Sequence, residues 1–239
     1  MIAVILAAGR GSRVSKLAKQ KPKSLLNIYQ RNTILDYQIK ILKNLGVKKI
    51  ILIVGYKSKI IKKKYKNKSI LFIDNKKWKT TNVLQSFALS TKYLTDDFLF
   101  LHADSLAEQS IYKKIISYNS STLPVDVKKC GNEEMKLYKI NKKIYLSKDN
   151  LKYNYYGEFM GIAYFKKEVI YKLKLIINKL KKNKNFNKFF AETAFNDLSN
   201  SFKIRIYKNT KFKFEEIDTP KDYVIAKKKF KSYMKSFFK

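Results

Sequence analysis

In the first half of the chain, short runs of consecutive apolar residues alternate with stretches in which apolar residues recur every three or four positions. Apolar runs of this length are typical of strands buried on both faces, and the longer spacing is typical of amphipathic helices. The pattern predicts strands at 2–6, 49–54, 70–73 and 98–101 and helical stretches at about 33–45, 60–65 and 82–94, followed by a helix containing Ile111, Ile115 and Ile116. Such alternation predicts βαβ units and a parallel sheet.

The second half has shorter apolar segments. They predict strands at 125–129, 135–140, 143–147, 159–165, 202–207 and 213–217, helices at about 167–182 and 189–198, and a terminal helix with Pro220 in its first turn. The strands at 135–140 and 143–147 form a hairpin through Asn141-Lys142, and 181–188 is predicted to be an exposed loop. Because no Pro/Gly/Ser-rich linker interrupts the chain, residues 1–239 are predicted to form one α/β domain.

The most specific local pattern follows the first predicted strand. The run Leu6-Ala7-Ala8-Gly9-Arg10-Gly11-Ser12-Arg13 combines small residues, which let a ligand approach the backbone, with free N–H groups and an arginine that suit phosphates. Nine positions after Arg13 comes Pro22-Lys23-Ser24-Leu25-Leu26. The composite L-A-A-G-x-G-x-R … P-K-x-L is neither a Walker loop, which requires G-K-[ST], nor the dinucleotide fingerprint, which requires a third glycine.

Two aspartates stand where strands are predicted to end. Asp104 closes the fourth strand, and Asp218 follows the strand at 213–217, with Glu216 two positions before it. Ligands of open α/β sheets bind beyond the carboxyl ends of the strands, and carboxylate oxygens are the ligands that Mg²⁺ prefers. A magnesium site is therefore predicted here; the alternative is that each aspartate only caps the helix that follows it.

These segments, in this order, resemble the nucleotidyltransferase superfamily, whose members couple an NTP to a phosphorylated metabolite. Within it, Thr81-Asn82-Val83-Leu84-Gln85-Ser86, Glu133-Glu134-Met135-Lys136 and Gly157-Glu158-Phe159-Met160-Gly161-Ile162 resemble the cytidylyltransferase branch, which acts on phosphocholine, aminoethylphosphonate and similar compounds. The resemblance implies a Rossmann-like three-layer α/β/α fold with a mixed, mostly parallel central sheet. It also implies a nucleotide-binding half at 1–120 and an acceptor-binding half at 121–239.

The resemblance further implies the reaction, an in-line attack by the acceptor's phosphate or phosphonate on the α-phosphorus of CTP, with Mg²⁺ as cofactor and pyrophosphate as the leaving group. No protein nucleophile is needed, because the acceptor is itself an anion and the protein aligns it. The implied residues are catalytic Arg13, Lys23 and Lys148, nucleotide-binding Leu6, Ala7, Ala8, Gly9, Gly11, Ser12, Asn82 and Ala103, acceptor-binding Asp126, Lys136, Glu158 and Glu192, and metal-binding Asp104, Asp218 and Glu216.

Several individual side chains keep two interpretations. Lys148 is either an acceptor contact or a solvated surface charge, and His102 is interpreted as structural rather than as a general base. Tyr153, Tyr155, Tyr156 and Trp78 could cage a quaternary ammonium, but ordinary packing is favoured in a chain with 17 tyrosines and 16 phenylalanines. Cys130, the one cysteine, is interpreted as a buried apolar residue rather than a nucleophile and suits a reducing cytoplasm.

Other functions stay open at this point. A sugar-1-phosphate nucleotidyltransferase using UTP, dTTP or GTP is the nearest alternative, although His102-Ala103-Asp104-Ser105 replaces the Gly-Asp-Asn of those members and their later Tyr-Gly-Val segment is absent. The net charge of +35 also allows a non-catalytic RNA-binding derivative. Because the lysines are spread from end to end, with only local clusters at 62–64, 181–182 and 227–229, biased composition explains the charge better than nucleic-acid binding does. No membrane partner is expected, and a homodimer is left open.

Overall fold

The computed structural model describes residues 1–19, 21–66 and 69–239, in which strands and helices alternate as the apolar pattern predicts. The strands are β1 (Ile2–Ala7), β2 (Asn27–Tyr29), β3 (Asn32–Thr33), β4 (Lys49–Val54), β5 (Ile70–Asp74), β6 (Phe98–His102), β7 (Ser105–Ala107), β8 (Thr122–Asp126), β9 (Lys136–Ile140), β10 (Lys143–Ser147), β11 (Tyr155–Phe159), β12 (Ile162–Phe165), β13 (Arg205–Asn209) and β14 (Phe214–Glu216). The α-helices are α1 (Ile34–Asn44), α2 (Ser58–Lys64), α3 (Val83–Ser90), α4 (Gln109–Ser117), α5 (Ile170–Lys181), α6 (Ala191–Leu198) and α7 (Pro220–Phe237).

Ten of the described strands form one mixed sheet in the order β10-β9-β11-β8-β12-β6-β1-β4-β5, and β13 also pairs with β8. Strands β6, β1, β4 and β5 are mutually parallel, whereas β12, β11 and β10 run antiparallel to their neighbours. Seven of the ten strands consequently point one way and three the other. The predicted mixed, mostly parallel sheet is confirmed.

Helices cover both faces of this sheet. Along β1, Ala3 and Ile5 face a core that includes residues of α1, α4 and α7, whereas Ile2 and Val4 face a second core that includes residues of α3, α5 and α6. Because successive side chains of a strand point to opposite faces, a central strand covered on both sides must be apolar at every position. This explains the unbroken apolar run at the start of the chain and gives the three-layer α/β/α arrangement.

The second half departs from the sequence expectations in one instructive place. The strand predicted at 159–165 is two strands, β11 and β12, which are separated by Met160-Gly161 and pair with opposite sides of β8. The apolar run continues through the break because both strands are buried, so hydrophobicity alone gave no sign of it. The strand predicted at 125–129 lies three residues earlier, at β8, and the strand predicted at 202–207 starts three residues later and ends two residues later, at β13.

The structure adds short elements that the pattern did not predict. Strands β2, β3 and β7 have two or three residues each, too few to show a period. The segment 181–188 ends in a short 3₁₀ helix, Phe186–Lys188, and its residue Phe186 is buried rather than exposed. Across 1–19, 21–66 and 69–239 we find no helix with the length and apolar character that crossing a membrane requires.

Gly157 provides a test of the packing between β11 and β8. It has a φ of +148°, and a Cβ built there would lie 2.2 Å from the backbone oxygen of Asp126. We expect Gly157→Ala to lower the free energy of unfolding by about 3 kcal/mol, since neither the backbone nor the neighbouring strand can yield without disturbing the sheet. Urea denaturation measures the change.

Gly46→Ala is the matched control for this substitution. Gly46 also has a positive φ, +70°, but a Cβ there would meet no atom within 4 Å. Gly46→Ala should therefore lower the free energy of unfolding by only about 1 kcal/mol, which is the cost of a left-handed backbone conformation for alanine. Equal losses in the two variants would contradict the assignment of the larger effect to contact with β8.

Candidate active site

A first cavity lies beyond the carboxyl ends of β1 and β6. Most of the predicted nucleotide-binding residues line it, namely Leu6, Ala7, Ala8, Gly9, Gly11, Asn82 and Ala103. The rest of its wall comprises Lys23, Ser24, Asn75, Trp78, Thr81, Val83, Ser86, His102 and Asp104. Ser12 is the exception, since it is exposed and outside the lining. The backbone N–H of Ala103 donates to the Leu6 carbonyl at 3.3 Å, which ties the ends of the two strands together.

Gly11 makes room for Lys23 beneath the loop after β1. Its φ is +64°, and an added Cβ would lie 2.6 Å from the Cβ of Lys23. Only glycine meets both conditions without strain. The glycine of the first motif and the lysine of the second are thus parts of one packed unit, although the sequence separates them.

The ammonium group of Lys23 lies between two aspartates from distant parts of the chain. It donates to Asp104 Oδ2 at 2.9 Å and to Asp218 Oδ1 at 2.6 Å, and only 10% of its side chain is exposed. Burial alone would lower the pKa of Lys23, but the charges of Asp104 and Asp218 outweigh it and raise the pKa above its usual value. Lys23 therefore remains charged at neutral pH and holds the two carboxylates close together.

The first turn of α7 fixes Asp218 without using its side chain. Thr219 is the N-cap residue, and the Asp222 carboxylate accepts hydrogen bonds from the backbone N–H groups of Asp218 and Thr219, at 3.0 and 2.7 Å. This capping box stabilises the start of the helix. The alternative that Asp218 caps α7 is therefore wrong, and its carboxylate is available to Lys23 and Arg13.

Arg13, Glu133 and Lys148 form an ion-pair chain beside this centre. Arg13 contacts Asp218 at 3.1 Å and Glu133 at 3.5 Å, and Lys148 contacts Glu133 at 3.6 Å. All of these groups are partly exposed, so the pairs contribute little to stability. With the contact between Lys23 and Asp218, these ion pairs bring the three predicted catalytic residues, Arg13, Lys23 and Lys148, together near Asp218.

A second cavity shares Val83, His102 and Asp104 with the first. Its remaining lining comes from both halves of the chain and comprises Arg13, Glu133, Met135, Lys148, Phe159, Gly161, Phe190, Glu192, Glu216 and Asp218. With the shared Asp104, five residues of the whole lining are acidic, in a protein whose net charge is +35. The two cavities meet at Asp104, which is therefore positioned to contact ligands in both.

The carboxylates at this junction fit a divalent cation. Among the described residues, ligand atoms of His102, Asp104 and Glu216 lie within 4.8 Å of one another, and Oδ1 of Asp104 is buried without a hydrogen bond. Burial would raise the pKa of Asp104, but Lys23 and His102 hold it below its usual value. Burial, together with Asp104 and Asp218, raises the pKa of Glu216 well above its usual value. A hard cation with oxygen ligands would relieve this crowding.

Three of the four predicted acceptor-binding residues lie outside both cavities. Asp126, Glu158 and Lys136 occupy one rung across β8, β11 and β9. Glu158 pairs with Lys128 at 2.7 Å, Asp126 accepts a hydrogen bond from Asn209, and the buried Lys136 donates to the backbone oxygen of Lys148 at 2.6 Å. Of the predicted set, only Glu192 lines the second cavity.

The aromatic cage considered from the sequence does not form. Trp78 lines the first cavity, whereas Tyr153, Tyr155 and Tyr156 line neither of the two cavities. The Tyr155 hydroxyl accepts from the Cys130 backbone N–H at 2.9 Å, and the Tyr156 ring lies under the Lys208 ammonium at 4.2 Å. These contacts agree with the packing interpretation.

Cys130 differs from its sequence interpretation in burial, and His102 has a place in both cavities. Cys130 is half-buried rather than buried, and desolvation raises the pKa of its thiol to about 11, which disfavours the nucleophilic thiolate. His102 lines both cavities and faces Glu192, with 3.5 Å between Nε2 and Oε1. In the sequence, the signal that could have placed His102 at the cavities is its position at the end of a predicted strand, close to Asp104.

Comparison with known proteins agrees with this geometry. The model of the family described as "Nucleotidyl transferase" matches residues 2–134. The chain is 33% identical over 125 residues to the CTP:phosphoglutamine cytidylyltransferase of Campylobacter jejuni, covering 49% of each chain. It is 30% identical over 141 residues to the choline-phosphate cytidylyltransferase of Streptococcus pneumoniae, covering 58% of this chain and 59% of that protein. The matches thus span about half the length of these curated relatives.

Solved structures extend the likeness of fold over nearly the whole chain. The CTP:phosphocholine cytidylyltransferase of Streptococcus pneumoniae aligns with a TM-score of 0.80 at 22% identity, covering 95% of this chain and 98% of that one. The inositol-1-phosphate CTP transferase of T. maritima aligns with a TM-score of 0.77 at 21% identity, covering 96% of both. At these identities the likeness establishes the fold.

Glu216 yields a prediction about stability and pH. A carboxyl whose pKa is raised in the folded state binds more protons there than in the unfolded chain, so stability falls as pH rises from about 4.5 through the raised pKa. In metal-free buffer, Glu216→Gln should therefore raise Tm by about 3 °C or more at pH 8 and leave it unchanged at pH 4, as measured by thermal melts.

Glu215→Gln serves as the control, because the Glu215 carboxylate contacts Lys229 at 3.2 Å instead of other carboxylates. It should give no gain in Tm at pH 8. A gain for Glu216→Gln of equal size at both pH values would contradict the electrostatic explanation.

Proposed function

The chain belongs to the nucleotidyl transferase family, and on that premise we propose that it is an Mg²⁺-dependent cytidylyltransferase. It transfers CMP from CTP to a small phosphorylated or phosphonylated acceptor and releases pyrophosphate. One observation carries this proposal: two cavities meet at Asp104, and the buried Lys23 ammonium joins Asp104 to Asp218 at their junction. A site with two compartments and a shared charged centre suits two anionic substrates that react with each other.

The first compartment has the properties of a triphosphate and base site. Ala8, Gly9 and Gly11 leave little side-chain bulk on one wall. The wall at Asn75, Trp78 and Thr81 offers an aromatic ring and polar groups to a nucleoside. The Asn75 side chain is oriented by hydrogen bonds to Thr81 Oγ1 at 3.2 Å and Ser86 Oγ at 3.0 Å. A nucleotide in this compartment has its phosphates toward Lys23 and Asp104.

The chemistry requires alignment and charge neutralisation from the protein. An oxygen of the acceptor's phosphate or phosphonate forms a bond to the α-phosphorus, while the bond from that phosphorus to the bridging oxygen breaks and pyrophosphate leaves with the electron pair. Lys23 and Arg13 neutralise the charge that accumulates on the transferring and leaving oxygens. Lys148, on the second-cavity side, attracts the acceptor's anionic group toward the junction.

Three carboxylates are the residues that would hold the magnesium ion. Asp104 lines both cavities, Asp218 and Glu216 line the second, and their carboxylates would provide oxygen ligands at the junction. When bound, Mg²⁺ supplies further neutralisation of the triphosphate. Lys23 and a divalent cation would then share the two aspartates, so that the buried negative charge is balanced with and without the metal.

The choice of CTP rests on similarity. The relatives from Campylobacter jejuni and Streptococcus pneumoniae are named as cytidylyltransferases. The segments 81–86 and 157–162 resemble the same branch of the superfamily. A sugar-1-phosphate transferase, the alternative that the sequence leaves open, is the competing proposal within the family.

The proposal is tested by pyrophosphate release. The full chain should turn over CTP at least tenfold faster than UTP, dTTP or GTP with a panel of small phosphates, phosphonates and sugar 1-phosphates, and chelation of Mg²⁺ should abolish the reaction. Faster turnover of UTP, dTTP or GTP with a sugar 1-phosphate would overturn the cytidylyltransferase assignment. Salt-sensitive RNA binding without any pyrophosphate release would favour the RNA-binding derivative.

Lys23 provides the residue-level test. Loss of one charge-assisted contact of roughly 1.5–3 kcal/mol lowers kcat/KM by about ten- to hundredfold, so Lys23→Ala should cripple turnover. The controls are Lys63→Ala and Lys228→Ala, both at exposed positions remote in sequence from the site. These should leave kcat/KM within about twofold. Equal small effects in all three variants, fading together with salt, would mean that Lys23 acts only through the general positive field.

A further inference from the structure

We infer that the acceptor carries a primary ammonium group in addition to its phosphate or phosphonate, and that Glu192 binds this group in the second cavity, beside His102. The inference rests on the proposed function, because it identifies the class of the second substrate. It selects among acceptors that the sequence left equivalent, namely amine-bearing and quaternary-ammonium compounds.

Glu192 is the observation that points to a ligand. Its side chain is 2% exposed, and within the described residues its Oε2 atom is buried without a hydrogen-bond partner. The ring of His102 faces the other oxygen, with 3.5 Å between Nε2 and Oε1, and this Nε2 also lacks a hydrogen bond among these residues. A buried carboxylate oxygen without a partner is costly, so a ligand that donates hydrogen bonds to it gains the corresponding free energy.

The fold holds Glu192 in place. It lies in the first turn of α6, and the segment leading into that helix is bonded to the start of α3. Asn82 donates to the backbone oxygens of Asn187 and Lys188, at 2.7 and 3.1 Å, and the Leu84 N–H donates to Phe189 at 3.2 Å. Asn82 also lines the first cavity, so one residue positions both the nucleotide compartment and the unpaired carboxylate.

Charge is distributed asymmetrically in the second cavity. Arg13 and Lys148 both contact Glu133 on one side, whereas Glu192 and His102 form a separate pair, with Glu216 and Asp104 close to His102. An anionic group is therefore favoured near Lys148 and Arg13, and a cationic group near Glu192. This arrangement fits a short zwitterion with an anionic and a cationic end.

Hydrogen bonding distinguishes a primary ammonium from a trimethylammonium. A primary ammonium donates three hydrogen bonds, which the oxygens of Glu192 can accept, whereas a quaternary ammonium donates none and is bound by aromatic faces. The two aromatic rings in this cavity are already engaged. Phe190 has the Lys148 ammonium over its ring at 5.6 Å, and Phe159 packs edge-on against Phe195 with 6.5 Å between centroids.

The test uses three acceptors that differ only at the nitrogen: ethanolamine phosphate, choline phosphate and ethyl phosphate. With CTP and Mg²⁺, the full chain should give a kcat/KM at least tenfold higher for ethanolamine phosphate than for the other two. A kcat/KM for choline phosphate or ethyl phosphate that equals or exceeds that for ethanolamine phosphate would overturn the inference. Isothermal titration of each acceptor into the CTP-free protein provides a readout independent of turnover, and the same order of affinity is expected.

Glu192→Gln tests the residue. It should raise KM for ethanolamine phosphate at least tenfold, leave KM for CTP within twofold, and change the kinetics with ethyl phosphate little. Glu168→Gln, at an exposed position, is the matched control and should change none of these constants. An equal loss with all three acceptors, or a weakened Mg²⁺ dependence in place of a weakened acceptor KM, would overturn the role given to Glu192.

Failure of this inference is distinguishable from failure of the proposed function. If CTP binds and is turned over but the acceptor order is reversed, only the inference fails. If CTP neither binds nor is turned over with any acceptor of the full panel, the proposed function itself fails. Binding of CTP without detectable binding of ethanolamine phosphate counts against the ammonium site.

Discussion

The architecture of the site depends on one buried interaction, the contact of the Lys23 ammonium with Asp104 and Asp218. Each partner comes from a different region of the chain: the loop after β1, the end of β6 and the turn before α7. Gly11 leaves the space that Lys23 fills, and the capping box of α7 keeps the Asp218 carboxylate out of helix capping. Two carboxylates this close would repel each other without the ammonium, so the interaction fixes the boundary between the two cavities.

The charge of the whole chain and the charge of the site have opposite signs. The net charge is +35, yet the second cavity is lined by five acidic residues against Arg13 and Lys148. Dispersed surface lysines attract anions from solution but cannot select among them, because exposed charges are screened within about 10 Å. Selection has to come from the buried groups. The acidic cavity is therefore more informative about function than the composition is.

Sequence reasoning found the parts of the site that belong to continuous motifs. Short local patterns were enough to predict four parts of the candidate site: the loop 6–13, Lys23, Asp104 and Asp218. These patterns are a run of small residues, a Pro-Lys pair and carboxylates at the ends of strands. The strands of the parallel half were predicted to within one residue for the same reason: full burial leaves an unbroken apolar run. The division of the chain into a nucleotide half and an acceptor half stays a prediction.

Residues whose surroundings are set by tertiary pairing could not be placed in this way. Asp126, Glu158 and Lys136 lie side by side on paired strands and contact neighbouring groups there. Glu192 reaches the second cavity because Asn82 holds the segment before α6. No local letter pattern separates these four charged residues: the pairing of β8, β11 and β9 places three of them, and the hydrogen bonds of Asn82 place Glu192. Motifs therefore predict the parts of the candidate site that suit phosphates, whereas the side chains of the second cavity come together only through the tertiary structure.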